Sequence, residues 1–179
     1  GDYNPSGKLT MSFPRNVGQV PVYYNFKNTG RPSTSIEQVT NSGYADVENS
    51  PLYSFGYGLS YTEFKYSDFE ISSSTMTKDS KINASIRVTN TGNYKGEEVV
   101  QLYLRDIVGS IARPMKELKG FEKIELNPGE SKIVNFEIEN SLLEFYSYNN
   151  VWESEPGKFH VFIGSDSNVR EHKEFYLTD

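Results

Sequence analysis

No cysteine occurs anywhere in the chain, which excludes disulfide staples, zinc–thiolate centres and thiol nucleophiles. The redox compartment stays open, because many exported proteins also lack cysteine. Tryptophan occurs once, at Trp152, and histidine twice, at His160 and His172. No apolar run approaches the roughly 20 residues needed to cross a bilayer, and no basic stretch leads into an apolar segment with a small-residue cleavage site. A membrane span is therefore not expected. Positive charge is also short: 18 Lys and Arg face 24 Asp and Glu, for a net charge of −6. Nucleic-acid affinity rests on clustered cations that displace counterions, so a nucleic-acid partner is excluded. What the chain does have is aromatic mass. Hydrophobic residues make up only 36%, but 13 Tyr and 11 Phe supply a large buried area from few positions. A length of 179 residues suits one well-buried domain and leaves no room for a second full one. The opening at Gly1, inside a turn-like stretch, reads as the interior of something longer.

From about residue 61 to 179 the chain alternates apolar and polar positions in short runs separated by turn residues, as antiparallel strands with one wet face do. Ile82, Ala84, Ile86 and Val88 fall on one face and Lys81, Asn83, Ser85, Arg87 and Thr89 on the other, before the turn Asn90-Thr91-Gly92-Asn93. Glu98 to Arg105 is apolar on both faces and reads as a mid-sheet strand covered on each side. Leu118 to Leu126 leads into Asn127-Pro128-Gly129, the residues of a type II turn, and a hairpin-like reversal. Val134, Phe136 and Ile138 alternate next, and residues 140 to 144 suit one short capped helical turn. Glu155-Pro156-Gly157 introduces Phe159, Val161 and Ile163, and Phe175 with Leu177 reads as an edge strand. These runs predict an all-β immunoglobulin or fibronectin type III-like sandwich of about seven strands over 61–179, with Trp152 as a core or inter-sheet plug. Residues 1–60 form a different unit. They are rich in Gly, Pro, Ser and Asn, carry one apolar alternation (Leu9, Met11, Phe13) stopped by Pro14, and lack a core, so they must anchor on something else.

Several chemistries were tested against spacing. Gly7-Lys8 is not a phosphate loop, which needs glycine at Asp2 and Ser or Thr at Leu9. Asp2, Asn4, Ser6 and Gly7 open like a calcium loop, but Phe13 stands where the bidentate Glu belongs and Pro5 intrudes. His160 and His172 lack a nucleophile-elbow pattern and read as surface residues. Asn83-Ala84-Ser85 fits a glycosylation triplet inside a strand and is assigned no role. Glycoside hydrolysis needs two carboxyl groups flanking one sugar ring. Glu97 and Glu98 point to opposite strand faces, and Asp68 with Glu70 share a solvated one, so neither pair reads as catalytic. No residue is assigned a catalytic, cofactor-binding or metal-ligating role.

Two segments go beyond composition: Asn4-Pro5-Ser6-Gly7-Lys8-Leu9 followed by Ser12-Phe13-Pro14, and Pro51-Leu52-Tyr53-Ser54-Phe55-Gly56-Tyr57-Gly58-Leu59-Ser60-Tyr61-Thr62. Together they resemble family 3 glycoside hydrolases of the β-glucosidase and β-xylosidase type. In that family the first motif lies toward the end of the α/β sandwich domain, and Val20-Pro21-Val22-Tyr23-Tyr24-Asn25 is similar to the stretch that follows. The second motif leads into a fibronectin type III-like domain. Arg113-Pro114-Met115-Lys116-Glu117-Leu118-Lys119-Gly120-Phe121, Pro128-Gly129-Glu130 and Glu155-Pro156-Gly157 resemble that domain. Ser54 departs from the family's usual proline.

The resemblance implies that residues 1–60 are the tail of the α/β domain plus a connector, and that 61–179 are the fibronectin-like domain. It implies no catalytic residue here, because the family's nucleophile lies in an N-terminal barrel and its acid/base carboxylate generally precedes the first motif. The expected role is a non-catalytic accessory part of an enzyme that removes terminal β-linked glucose or xylose. Its partners would be the barrel and α/β domains of the parent and, for the intact enzyme, an oligosaccharide. The parent is expected to be exported from a bacterium. The alternative is a free-standing carbohydrate-binding or adhesive sandwich that stacks Tyr and Trp on sugars. Loops 31–50 or 106–114 would shape selectivity if they reach the substrate entrance.

Overall fold

The structure is a computed structural model describing residues 1–30, 43–44 and 46–179. Most of the 31–50 loop therefore lies outside the described residues. In chain order the strands are β1 (Phe64–Ile71), β2 (Thr75–Thr77), β3 (Ile82–Asn90), β4 (Gly96–Asp106), β5 (Glu117–Leu126) and β6 (Ser131–Ile138). A helical turn α1 (Asn140–Leu143) precedes β7 (Phe145–Tyr146), β8 (Trp152–Glu153), β9 (Gly157–Gly164) and β10 (Lys173–Thr178). Seven of these strands run six residues or more, the number the alternation predicts.

They form two sheets, β1-β3-β6 and β2-β10-β9-β4-β5, with β7-β8 as a separate ribbon. The period-2 runs place the core between them. Ile82, Ala84, Ile86 and Val88 from β3 and Val134, Phe136 and Ile138 from β6 meet Val100, Leu102 and Leu104 from β4. Phe159 and Phe175 stack across β9 and β10 at 5.3 Å. This is the fibronectin type III-like sandwich the sequence predicts.

Four local expectations change. The turn at Asn127–Glu130 closes with the Glu130 amide donating to the Asn127 carbonyl at 3.0 Å, and Gly129 takes φ +77° as a type II turn requires. It does not make a hairpin. β5 and β6 lie in different sheets, because the Asn90 and Gly129 amides tie the turn to the end of β3. Strand β10 is not an edge: β2 pairs parallel to it, burying Met76. Asn140 lies inside α1 rather than capping it, where its amide donates to Glu144 and its oxygen accepts from Ser154. Trp152 is 69% exposed and is not a plug. The ribbon register pairs Trp152 with Tyr146 on the outer face, while Phe145 turns inward beneath Arg113.

Candidate functional site

The described part of residues 1–60 has no sheet of its own and instead runs as extended chain across the sandwich. Phe13 and Tyr53 bridge within it, and Lys27 bridges to Pro114 ahead of β5. Polar atoms pin its beginning. Asn4 donates to the Lys95 carbonyl and accepts from Ser60 and the Tyr61 amide, and Ser6 and Tyr3 both donate to Glu97. The residues that open like a calcium loop are thus fixed to the sandwich. Next to them Lys8 reaches between the sheets, its Nζ donating to both oxygens of buried Glu98 at 3.0 and 3.2 Å. Tyr66 Oη donates to Glu98 Oε1 at 2.8 Å. Burial, then the Glu98 charge, pushes the Tyr66 hydroxyl far above its ordinary range, so it stays protonated as a donor. These groups edge a hollow of about 230 Å³ with Ser165 and Asp166.

The centre of the seam is the outer face of β4. Phe55 stacks on Tyr24 at 4.1 Å, and Tyr24 meets Tyr103 edge-on at 6.0 Å. Gln101 is buried with each polar atom used: Nε2 donates to the Gly56 carbonyl at 3.1 Å and the Ser165 carbonyl at 2.5 Å, and Oε1 accepts from Tyr103 at 2.6 Å. Gly56 takes φ +82°, and a Cβ there would overlap the Gln101 amide. A Cβ on Gly58 would come within 2.5 Å of the Gly7 carbonyl oxygen, so glycine lets the two motif segments touch. The two-faced apolarity of β4 signalled this cover in advance. Its polar partners, Gln101 and the Lys8–Glu98 pair, gave no signal, because each depends on a contact more than 40 residues away in sequence.

Beyond Tyr24 lies a second hollow of about 380 Å³, lined by Phe26, Arg105, Lys116, Phe162, His160 and His172 among others. Lys116 Nζ donates to the carbonyls of Ser167 and Val169 and sits 4.3 Å above the Phe162 ring. Burial lowers its pKa to about 8, against the pull of Asp166. His160 is not a simple surface residue. Its side chain is 16% exposed, stacked on His172 at 4.2 Å.

The carboxylates weighed for sugar chemistry are dispersed. Glu97 is paired with Lys123 at 2.7 Å, Glu98 with Lys8, and Asp68 with Arg87 at 2.7 Å across a bulge in β1. In the 106–114 connection, Asp106 lies 3.4 Å from Arg113 Nε, too poorly aligned for a hydrogen bond, and Arg113 bonds Glu117 at 3.0 Å. Burial raises the Asp106 pKa, and the Arg113 charge only partly offsets it. The arrangement is a docking seam: it holds two chain segments together and leaves Glu97, Glu98 and Asp68 tied to cations.

Known proteins share this sequence and fold. The glycosyl hydrolase family 3 C-terminal domain matches residues 1–61, and the fibronectin type III-like domain matches residues 98–167. The periplasmic β-glucosidase of Salmonella typhimurium is 56% identical over 178 residues, covering 99% of this chain and 23% of that protein. A putative β-xylosidase of Formosa agariphila is 48% identical over 177 residues, covering 99% of this chain and 22% of that protein. The crystal structure of β-glucosidase from Listeria innocua in complex with gluconolactone superposes with a TM-score of 0.90 at 41% identity, covering 100% of this chain and 25% of that one. The chain therefore spans about a quarter of the length of these relatives. By motif order, sequence and fold, it belongs to the family 3 glycoside hydrolases, as the C-terminal part of that family with its fibronectin type III-like domain.

Proposed function

We propose that this chain is a non-catalytic accessory part of an exo-acting β-glycosidase, in which residues 1–60 complete an α/β domain and residues 61–179 brace it. The observation that carries this reading is the unequal burial of the first unit. Its polar atoms and glycines lock onto the sandwich, yet Tyr3, Met11, Val17, Val20, Tyr23 and Leu59 are each more than 60% exposed. A segment held this firmly, with this much uncovered apolar surface, suits burial against further domains of a longer enzyme. Glu97, Glu98 and Asp68, each paired with a cation, support a non-catalytic role. Terminal β-linked glucose or xylose is the proposed substrate of the intact enzyme, and the relative named as periplasmic supports an exported one.

The test is hydrolysis of chromogenic β-glucosides and β-xylosides by this chain alone and mixed with the remaining N-terminal portion of the enzyme. Silence alone with turnover on mixing is expected, and turnover by the lone chain would overturn the reading. A free-standing sugar-binding module has one observation in its favour, the exposed ribbon of Tyr146, Tyr148 and Trp152. Its signature is oligosaccharide affinity of this chain that a Trp152→Ala variant loses.

A further inference from the structure

We propose that His160, His172 and Glu174 form a binding site for one divalent transition-metal ion of the zinc type. The site is built by strand register. His160 of β9 and Glu174 of β10 are direct cross-strand partners, and His172, two residues ahead of Glu174, shares its face. His160 Nε2 lies 3.0 Å from Glu174 Oε1, His172 Nε2 lies 3.8 Å from the same oxygen, and the three ligand atoms all fall within 4.8 Å of one another.

A backbone carbonyl orients the His172 ring. Its Nδ1 lies 3.1 Å from the Arg170 carbonyl oxygen. A carbonyl only accepts, so Nδ1 donates to it, and Nε2 is the ring nitrogen left facing the carboxylate. A ring fixed through Nδ1–H to a backbone carbonyl is also how metal-bound histidines are commonly oriented.

Two imidazoles and one carboxylate suit zinc and its neighbours with one position left open, whereas calcium and magnesium prefer oxygen donors throughout. Tetrahedral zinc needs donor atoms roughly 3.3 Å apart. The two rings stack at 4.2 Å and 15°, so to aim its nitrogen at a shared ion the His172 ring, 36% exposed, must turn out of the stack on His160. Lys158 Nζ holds the other oxygen, Glu174 Oε2, at 2.8 Å and leaves Oε1 to the metal. Around the site stand Arg105, paired with His160 from β4, Lys158 and Arg170, whose charges weaken affinity.

Zinc ions titrated into the chain near pH 7.5 are expected to bind one per chain. At a hundredfold excess over Kd they should raise the melting temperature by about 5–10 °C. His172→Ala and Glu174→Gln should weaken binding by about tenfold or more, as loss of a ligand requires. Lys158→Met should bind at least as tightly as the unsubstituted chain, because it frees the carboxylate. A second readout needs no variant to fold. The chain has two histidines, so its proton NMR spectrum has two imidazole Cε1–H signals. Zinc must move both, and calcium at the same concentration must move neither. Failure of zinc to move either signal, or binding by the His172 and Glu174 variants equal to that of the parent chain, would overturn the site.

Discussion

Gly56 and Gly129 both sit at positive φ, at +82° and +77°, but their surroundings differ. A side chain on Gly129 would meet open space, whereas one on Gly56 would strike the Gln101 amide that Tyr103 and Ser165 hold in place. Gly129→Ala should therefore carry only the left-handed backbone penalty, about 1–2 kcal/mol. Gly56→Ala adds overlap with a buried, fully bonded amide and should cost about 3–5 kcal/mol. Urea denaturation of the two variants checks this, and equal losses would mean that Gln101 moves aside freely. At this scale the sequence was half legible. The glycine-rich motif identified Gly56 as special, but its reason, Gln101, stands 45 positions away. Trp152 shows the opposite failure: a lone Trp invites a core assignment, but Phe and aliphatic side chains already fill the core.

Among elements, the three-residue strand β2 has a role out of proportion to its length. It covers the open edge of β10 and buries Met76 to 1% exposure. Met76→Ala should cost about 2–4 kcal/mol. By loosening β2 it should also expose the β10 backbone and raise the rate of aggregation on mild heating. Met76→Leu, nearly equal in volume, should cost less than about 1.5 kcal/mol. Thermal denaturation followed by light scattering separates the two effects, and a Met76→Ala chain as soluble as the parent would show that β2 is dispensable as an edge cover. Strands long enough to show alternation were readable in sequence. β2, β7 and β8 were not, because two or three residues carry too little periodicity to identify, and only pairing defines them.

For the whole molecule, acidic stability follows from ion pairs and hydrogen bonds to carboxylates. Lys123 lowers the Glu97 pKa, the Asn127 amide that of Glu130, the Ser141 hydroxyl that of Glu139, the Ser147 hydroxyl that of Glu153 and Lys158 that of Glu174. A depressed folded-state pKa contributes stability that is fully present above the unfolded value of about 4.3 and is lost as pH falls through the folded value. Asp106 has the opposite sign: its raised pKa makes its share of stability grow on acidification. The lowered carboxylates outnumber it, so the urea midpoint should decline below about pH 4.3, after a smaller decline that begins near pH 6.5, where the lowered His160 pKa lets the unfolded state take up a proton first. Added salt should shrink the share of the decline that Lys123–Glu97 and Lys158–Glu174 contribute, and leave the share of Glu130, Glu139 and Glu153, whose main partners are uncharged donors. A midpoint that rises on acidification would mean that Asp106 dominates.

By itself the sequence determined the seven longer strand runs, the alternating faces within them and the family, because alternation and the glycine-rich motifs are local patterns that need no partner to be read. Only the tertiary structure decided which strands share a sheet, why the turn after β5 crosses to β3, and how residues 1–60 cover Gln101 and Tyr103. The meeting of His160, His172 and Glu174 belongs to the same class. Local periodicity sets which way a side chain points. Which side chain it meets depends on strand pairing and packing between residues far apart in the chain, and those are settled only when the whole core closes.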